Sequence, residues 1–374
     1  MKKIHLNLGP RSYSILIGRN LLPQTGKLIK PLQLGKKVFV VTNRKIKGLG
    51  FLKTVESSLK KSGFEVVEHL LPYGSEKDKS QESLFKLWRH MAEAKLERNS
   101  AVLALGGGVI GDLAGFAAST YMRGIPVIQV PTTLLAQVDA AIGGKTAIDL
   151  PVAKNIVGTF YQPRLVVVDV TTLKTMGLDP LGLRELKNSF AEIIKYGIIQ
   201  DLQLFRLLEE KVEWFFSQAR RKPLGNPELA FLEKVVWHSI RVKAKVVQED
   251  ERETKGKRMI LNYGHTFGHA FEAVSNYRLP HGEAVALGMI CAARLARKKG
   301  MLGKKDEERQ NRLIRKVGLP VKLNRRFSPD RVIRPMLLDK KKKGGKLRFV
   351  LPEAIGRVRV VDHISAGEIK QAIQ

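Results

Sequence analysis

The fold of the N-terminal half is decided by the stretch Ala101-Val-Leu-Ala-Leu-Gly-Gly-Gly-Val-Ile-Gly-Asp112. Its apolar residues predict a buried β-strand, and the glycines after them lead into a predicted helix. Gly106 to Gly111 follow the pattern Gly-x-Gly-x-x-Gly, in which a tight turn brings backbone amides against a pyrophosphate. We therefore expect a phosphate-binding turn, with a purely structural glycine turn as the alternative. A standard dinucleotide-binding unit is disfavoured, since no acidic residue occurs between Leu113 and Val138.

Strands and helices alternate on both sides of this stretch, which is typical of a parallel sheet covered by helices on both faces. Further strands are predicted at 37–42, 65–71, 126–130 and 165–169, and helices at 51–62 and 80–96. Beyond about residue 180, amphipathic helices are predicted at 185–220, 227–250, 258–275, 282–299 and 304–317, with a short strand at 346–351. The sequence thus predicts an α/β domain over residues 1–176, a mainly helical domain over 177–374, and an active site in the cleft between them.

The bulk composition is that of a soluble globular protein, with 44% hydrophobic and 27% charged residues. The single cysteine, Cys291, excludes an intramolecular disulfide and suits a reducing cytoplasm. The N-terminus lacks the apolar core of a signal peptide, and no apolar run approaches the roughly 18 residues that span a bilayer. We expect a cytoplasmic protein with no membrane partner.

The net charge of +31 is the unusual bulk property, and about half of the excess lies in residues 294–374. It is compatible with a nucleic-acid or membrane partner, or with an anionic substrate bound on a generally basic surface. We favour the anionic substrate. The basic residues are interleaved with apolar ones, apart from the run Lys340 to Lys343, and no aromatic platform for nucleic-acid bases accompanies them.

Three of the eight histidines lie between Asn262 and Glu283. His265 and His269 are four residues apart, so a helix would place both on one face, and spacing alone favours them as a metal-ligand pair with His281 behind them. Imidazole also titrates near neutrality, so an acid–base site is equally compatible with the cluster. The alternative is a set of core histidines that only satisfy backbone partners.

A carboxylate could complete such a site, because catalytic zinc commonly takes three protein ligands. Glu192 and Lys195 lie three residues apart in the otherwise apolar run Ala191-Glu-Ile-Ile-Lys-Tyr196. Glu192 is therefore either the third ligand or one half of a salt bridge across a helical turn.

Polar residues also follow the predicted strand at 126–130. Thr132 and Thr133 stand where hydroxyls either cap a helix or bind a ligand. Gly143-Gly-Lys-Thr146 is not a Walker A loop, because the first glycine of that motif would fall on Asp139. Lys145 could nevertheless meet a phosphate as a point charge.

Taken together, these stretches resemble the 3-dehydroquinate synthase family, in the order found in that family. The matching stretches are Gly106 to Asp112, Val130 to Asp139, Gly143 to Thr146, Lys154-Asn155, Ala191 to Tyr196, Asn262 to His269, His281 to Glu283 and Asp339-Lys340. The resemblance implies a Rossmann-like NAD-binding domain and a helical metal-binding domain, usually in a homodimer. It implies a lyase of the shikimate pathway that converts 3-deoxy-arabino-heptulosonate 7-phosphate to 3-dehydroquinate and phosphate, with catalytic NAD and zinc or cobalt.

The resemblance also implies roles for individual residues. The metal ligands would be Glu192, His265 and His281, which overrules the spacing-based choice of His269. The acid–base and polar groups of the reacting centre would be His269, Lys195, Asp139 and Asn262. The substrate phosphate would meet Lys145, Asn155, Lys340 and Arg123 of the partner subunit, and the substrate carboxylate would meet Lys243 and Arg258. The NAD positions would be Asn43, Gly74, Ser75, Glu76, Lys77, Asp78, Lys79, Gly108, Val109, Ile110, Gly111, Asp112, Thr132, Thr133, Lys145, Lys154, Thr172, Leu173, Lys174 and Thr175.

The chain departs from the family pattern by about five extra residues within 176–183, by one extra residue near Thr254 to Lys257, and by two substitutions. Ser75 stands where the family has glycine, and Asn188-Ser189 replaces the usual Ser-Gly one turn before Glu192. Three rival functions remain. They are another sugar-phosphate cyclase, which Arg258 and Lys243 disfavour, a metal-dependent polyol dehydrogenase of the glycerol-dehydrogenase type, and a basic RNA-binding scaffold.

Overall fold

The computed structural model describes residues 1–176, 180–323, 327–342 and 347–374, with residues 338–342 described by their backbone alone. The chain divides into two units. The first unit comprises Met1–Lys174 and Leu232–Glu251, and the second comprises Thr175–Phe231 and Arg252–Gln374. Residues 232–251 thus belong with the first unit, although they lie inside the segment predicted as the second domain. The boundary at residues 176 and 177 stays a prediction.

The first unit is built on parallel strands. Its strands are β1 Lys2–Leu6, β2 Tyr13–Gly18, β3 Lys37–Asn43, β4 Glu65–Leu71, β5 Ala101–Gly106, β6 Val127–Pro131, β7 Lys145–Leu150, β8 Ala153–Phe160 and β9 Leu165–Asp169. Seven of them form one sheet in the order β1-β2-β9-β6-β5-β3-β4. Only the pair β1 and β2 in this sheet is antiparallel.

Helices cover both faces of this sheet. They are α1 Thr25–Ile29, α2 Arg44–Gly48, α3 Phe51–Lys61, α4 Gln81–Glu93 and α5 Gly108–Thr120. Successive residues of β3 point to opposite faces, so Phe39 packs with Leu87 of α4 and Leu113 of α5, whereas Val40 packs with Val55 of α3. The predicted parallel sheet with helices on both faces is confirmed.

Four strands of the first unit were not predicted. The hairpin of β7 and β8 is a separate antiparallel pair, and the residues of β8 are mostly exposed. β1 likewise buries little except Leu6. A strand that buries few residues lacks the apolar run or strict alternation from which strands are recognised.

The second unit is mainly helical, as the sequence predicts. Its helices are α6 Pro180–Ile199, α7 Leu202–Ala219, the start of α8 Asn226–Glu249, α9 His265–Val274, α10 His281–Lys298, α11 Lys304–Val317, α12 Pro329–Lys342 and α13 Ala366–Ile373, and its strands are β10 Phe349–Ala354 and β11 Arg357–Val361. Within the described residues, no helix is long and apolar enough to cross a bilayer.

Two predicted helices of this unit are each interrupted. The single helix predicted over 185–220 is wrong, because the structure has two helices there, α6 and α7. The Asp201 side chain accepts a hydrogen bond from the Leu204 amide at 2.9 Å and caps the start of α7. The prediction over 258–275 is likewise divided into a 3₁₀ turn, Lys257–Asn262, and α9. Gly264 separates the two with a φ of 79°.

Candidate active site

Three potential metal ligands meet in the second unit. Glu192 lies in the middle of α6, His265 begins α9 and His281 begins α10. Their ligand atoms all lie within 4.8 Å of one another. Glu192 Oε1 is 3.4 Å from His265 Nε2 and 3.5 Å from His281 Nε2. The structure therefore brings together a carboxylate and two imidazoles, a donor set that suits a divalent cation.

Both imidazoles are oriented by a hydrogen bond at their other nitrogen. His265 Nδ1 lies 3.1 Å from the carbonyl oxygen of Tyr263, and His281 Nδ1 lies 3.1 Å from Glu272 Oε1. Because both partners are acceptors, each Nδ1 carries a proton, and the Nε2 atoms face Glu192. Such partners fix the tautomer and ring orientation of metal-binding histidines.

The two oxygens of Glu192 have different surroundings. Oε2 accepts a hydrogen bond from the buried Lys195 ammonium. Oε1 is buried and has no hydrogen-bond partner among the described residues. A buried carboxylate oxygen without a partner is costly unless a cation meets it, so this oxygen fits a bound metal. The two interpretations of Glu192 are therefore compatible, since the salt bridge occupies one oxygen and leaves the other for a ligand.

The pKa values in the cluster reflect this crowding. Burial favours the protonated form of Glu192, but Lys195 and the two imidazoles hold its pKa well below the usual range. Burial, reinforced by the Lys195 charge, lowers the pKa of His265 to about 3, which leaves its Nε2 free of a proton. Burial also opposes the charge on His281, but the carboxylates of Glu192 and Glu272 raise its pKa to about 10.

His269 lies beside the triad and not within it. Its ring centroid is 5.4 Å from that of His265 and 6.4 Å from that of His281. The side chain is exposed, one turn after His265 on α9. Spacing alone paired His265 with His269, but the structure groups His265 with His281.

The other expected site residues of the second unit lie on shorter elements. Arg258 is buried in the 3₁₀ turn, with its Nε 3.3 Å from Glu253 Oε1, and Asn262 is exposed at the end of that turn. Lys340 lies in α12, and its side chain is outside the described residues.

The glycine-rich turn of the first unit joins β5 to α5. Gly107 is the N-cap of α5 and has no side chain to cap the helix, so amides of its first turn are open to an anion. A Cβ at position 111 would lie 2.8 Å from Gln129 Oε1, so Gly111 allows the helix to approach β6 closely. Glycine here serves packing as well as anion access.

The two threonines after β6 differ in the hydrogen bonding of their hydroxyls. Thr133 Oγ1 accepts a hydrogen bond from the Ala136 amide at 3.4 Å, so Thr133 caps the following turn. Within the part of the chain that the structure describes, Thr132 Oγ1 is buried without a hydrogen-bond partner. The Thr132 amide donates a hydrogen bond to the Gly106 carbonyl at 2.9 Å. The capping alternative therefore describes Thr133, whereas Thr132 offers a free hydroxyl to a ligand at the glycine turn.

An ion-pair network lies near the same turn. The buried Lys79 ammonium is 2.8 Å from Asp112 Oδ2 and also donates to the Asn155 side chain. Burial raises the pKa of Asp112, although Lys79 opposes the change. Asn155, expected at the substrate phosphate, is thus hydrogen-bonded to an expected NAD-binding residue.

The segment around Ser75 forms a compact capped turn. The Asp78 carboxylate accepts hydrogen bonds from the amides of Gly74 and Ser75, and Ser75 caps the turn Glu76–Asp78. Ser75 has a φ of −135°, an extended conformation open to any residue. The turn therefore requires no glycine at position 75. A Cβ on Gly74 would lie 2.4 Å from Asn43 Nδ2, so glycine is required there for close packing.

Lys243 and Asp139 pair with each other in the first unit. Lys243 Nζ lies 2.5 Å from Asp139 Oδ1 and 2.6 Å from its carbonyl oxygen. Lys154 is 3.8 Å from Glu76, and Lys145 is exposed at the start of β7. Arg123 is exposed, with a φ of 64°.

The segment expected to complete the NAD positions is a 3₁₀ turn, Val170–Thr175. Within it, Thr172 Oγ1 accepts a hydrogen bond from Gln137 at 3.1 Å and donates to the Asp169 carbonyl at 2.8 Å. Leu173 is buried, and the Lys174 side chain is exposed. The hydroxyl of Thr172 therefore supports the loop that follows β9.

Sequence reasoning missed three residues near the triad. Tyr263 and Glu272 contact its histidines, and Asn188 contacts the first turn of α10. Glu272 comes seven residues after His265, a spacing of two helical turns that keeps both on one face of α9. That spacing could have identified Glu272 from the sequence. The contacts of the Tyr263 carbonyl and of the Asn188 side chain leave no such pattern in the sequence.

Comparison with known proteins gives the family. Profiles of the N-terminal and C-terminal parts of 3-dehydroquinate synthase match residues 70–181 and 189–342. The 3-dehydroquinate synthase of Nostoc punctiforme is 48% identical over 373 residues, which cover 99% of this chain and 98% of that protein. The chain belongs to the 3-dehydroquinate synthase family. The resemblance inferred from the motifs is confirmed.

Solved structures of related cyclases share the fold of 3-dehydroquinate synthases. The 2-epi-5-epi-valiolone synthase of Streptomyces hygroscopicus, solved with NAD+ and Zn2+ bound, has a TM-score of 0.83 at 29% identity and covers 96% of this chain and 95% of its own. A 2-deoxy-scyllo-inosose synthase complexed with carbaglucose-6-phosphate, NAD+ and Co2+ has a TM-score of 0.82 and covers 100% and 99%. Its 24% identity shows the fold alone. The predicted fold class, a Rossmann-like α/β part followed by a helical part, is confirmed.

Proposed function

We propose that the chain is a 3-dehydroquinate synthase of the shikimate pathway, which eliminates phosphate from 3-deoxy-arabino-heptulosonate 7-phosphate and closes the ring to 3-dehydroquinate. The observation that carries the proposal is the buried Glu192 Oε1, which has no hydrogen-bond partner and faces two oriented histidine Nε2 atoms. This cluster lies in a chain that is 48% identical to a 3-dehydroquinate synthase over almost its whole length.

Glu192, His265 and His281 would hold the divalent metal, zinc or cobalt. Three protein ligands leave open positions for substrate oxygens. When bound, the metal supplies Lewis-acid polarisation of the substrate hydroxyl that is oxidised. Lys195 holds the second oxygen of Glu192, which keeps the carboxylate ionised and oriented.

Proton transfer would fall to His269, because its side chain is exposed and lies beside the triad. An imidazole can both accept and return a proton. Lys195, Asp139 and Asn262 would supply the further polar contacts to the reacting part of the substrate.

NAD would bind at the glycine-rich turn, with its pyrophosphate at the open N-terminus of α5. Thr132 would satisfy its buried hydroxyl on the cofactor. Lys79 and Asp112 would fix the surrounding loop through their ion pair. The remaining proposed NAD contacts are those given by the resemblance, and NAD would supply a reversible hydride acceptor that is regenerated in each turnover.

The proposed substrate carries a phosphate and a carboxylate, which suits the cations that the family resemblance assigns to it. Arg258 offers a buried guanidinium fork for the carboxylate, with Glu253 as its partner when substrate is absent. Lys243 would share its ammonium between Asp139 and the substrate. Lys145, Asn155 and Lys340 would meet the phosphate. A homodimer with Arg123 of the partner subunit at that phosphate, and a cytoplasmic location, complete the proposal.

The deciding experiment incubates the purified protein with zinc, NAD and the heptulosonate phosphate and measures released phosphate and NADH together. We expect stoichiometric phosphate and 3-dehydroquinate with no net NADH. Net NADH from a polyol would identify a dehydrogenase instead. Turnover of a heptulose 7-phosphate that lacks the carboxylate, with none of the heptulosonate, would identify another cyclase. Absence of turnover by folded, metal-loaded protein would refute the assignment.

A further inference from the structure

We propose that Asn188 is a positioning residue for the metal centre, because it sets the place of His281 relative to Glu192. Asn188 lies on α6 four residues before Glu192, and its Oδ1 accepts a hydrogen bond from the Glu283 amide at 3.1 Å. Glu283 is two residues after His281, in the first turn of α10. A single side chain thus connects the helix of one proposed ligand to the helix of another. The inference rests on the metal site of the proposed function.

The first turn of α10 has no cap of its own. Its N-cap residue is Pro280, and no side chain of the capping position accepts a hydrogen bond from the turn. The first amides of a helix lack partners within the helix, so an acceptor from elsewhere stabilises the turn. Asn188 supplies that acceptor from α6, and in doing so it holds the turn that carries His281.

The two helices also touch through their backbones at this point. A Cβ at Gly282 would lie 2.3 Å from the Asn188 carbonyl oxygen and 2.5 Å from its Cα. Glycine is therefore required at position 282, and α6 and α10 are in close backbone contact beside His281. The contact lies one residue from His281 and one helical turn from Glu192. His281 Nε2 and Glu192 Oε1 are 3.5 Å apart. A shift at Asn188 is thus transmitted directly to that distance.

The alternative is that Asn188 serves only as a structural cap of α10. Measurements of metal binding distinguish this role from that of a positioning residue. Asn188→Ala removes the acceptor, whereas Asn188→Asp keeps an oxygen acceptor at the same reach. We expect the Ala variant to bind Co2+ at least about tenfold more weakly, as found when groups behind metal ligands are removed. We also expect its Co2+ absorption spectrum to change, and the Asp variant to stay close to the unsubstituted protein in both measurements.

Arg184→Ala is the matched control. Arg184 Nε lies 2.8 Å from Glu283 Oε1, so this variant removes a contact to the same residue without touching the amide that Asn188 holds. It should leave Co2+ affinity and spectrum unchanged. If Asn188→Ala fails to fold, Asn188→Leu removes the acceptor at nearly constant volume and replaces it in the comparison.

The outcomes distinguish the inference from the function on which it rests. If the unsubstituted protein binds no Co2+ in competition with a chelator, the proposed metal site fails. If it binds Co2+, and folded Asn188→Ala or Asn188→Leu shows the same affinity and spectrum with only a lower melting temperature, Asn188 is a structural cap and the inference is refuted.

Discussion

At the scale of single residues, the chemistry depends on which nitrogen each histidine presents. Spacing along a helix places His265 and His269 on one face, but it says nothing about where each ring nitrogen points. Tyr263 and Glu272 hold the Nδ1 atoms of His265 and His281, and their Nε2 atoms face the same oxygen of Glu192. Hydrogen bonds to the far side of each ring therefore select the pair of imidazoles that faces the carboxylate.

The different positions of His281 and His269 lead to the first prediction. His281→Ala should lose bound zinc, because it removes one of three converging ligand atoms. His269→Ala should keep zinc and lose phosphate release by roughly a hundredfold or more, the usual contribution of a general acid or base. Metal content after gel filtration and the rate at saturating substrate measure the two effects.

The control for both variants is a thermal melt in the presence of a chelator, which verifies folding without the metal. Equal loss of zinc from the two variants would show that His269 is a ligand and that spacing was the better guide.

At the scale of elements, the sequence predicts most of those that bury an apolar run or stripe, although it misses the buried strand β2. β3, β5, β6 and β9 are buried parallel strands whose apolar runs identify them. The exposed hairpin strand β8 offers no such run. Breaks inside helical periodicity are also hidden, because Asp201 and Gly264 each change the backbone at one residue without altering the pattern around them.

Gly264 provides the second prediction. Its φ is 79°, and an added Cβ would lie 2.7 Å from Met289 Cγ and 2.9 Å from the Val285 carbonyl oxygen. Gly264→Ala should therefore lower the free energy of unfolding by the roughly 1–2 kcal/mol of a left-handed non-glycine residue, plus the cost of displacing α10. Urea unfolding with chelator present measures the change without a contribution from the metal.

Gly256→Ala is the matched control for Gly264→Ala. Gly256 has a φ of 74°, and a Cβ there would meet no atom within 4 Å. Gly256→Ala should therefore lower the free energy of unfolding only by the contribution of a non-glycine residue in the left-handed conformation. Equal destabilisation by the two substitutions would contradict a requirement for close approach at Gly264.

The capping box of α13 gives the third prediction. Ser365 Oγ accepts from the Glu368 amide at 3.2 Å, and Glu368 Oε2 accepts from the Ser365 amide at 2.8 Å. Ser365→Ala should lower the free energy of unfolding by about 1 kcal/mol at pH 7. Hydrogen exchange of the α13 amides measures the local effect.

The contribution of Glu368 should depend on pH in a defined direction. Its hydrogen bond to Lys299, with help from Ser365, lowers the pKa of Glu368 from 4.5 to about 2. A carboxyl with a lowered pKa stabilises the folded state above its unfolded pKa, and this contribution is lost as pH falls through the folded pKa. Glu368→Gln should therefore destabilise α13 at pH 7 and progressively less from about pH 4.5 to pH 2. An undiminished effect at the acid end would contradict this.

At the scale of the whole molecule, the order of the motifs indicates the family. The net charge of +31, in contrast, is not explained by any single site. Eight short stretches in family order make the resemblance specific, whereas the glycine-rich stretch alone would be weak evidence. The net charge, unlike the motifs, is a property of the overall composition. The chain has 66 lysines and arginines against 35 aspartates and glutamates, so one-to-one ion pairing cannot neutralise it. The excess produces a field around the whole protein that attracts anions of any kind.

This field gives the last prediction, which concerns the anionic substrate. At about 0.01 M salt the screening length is about 30 Å, and at about 0.15 M it shrinks to about 8 Å. Raising salt between these values should lower kcat/KM for the heptulosonate phosphate by about threefold or more while leaving kcat unchanged, because only capture of the anionic substrate senses the long-range field. Steady-state kinetics at several salt concentrations, with an uncharged osmolyte as the control for solvent effects, separate the two constants. A parallel fall of kcat would show that salt acts on the bound state. Salt-sensitive binding of RNA tight enough to inhibit phosphate release would instead show that the basic surface has a nucleic-acid partner.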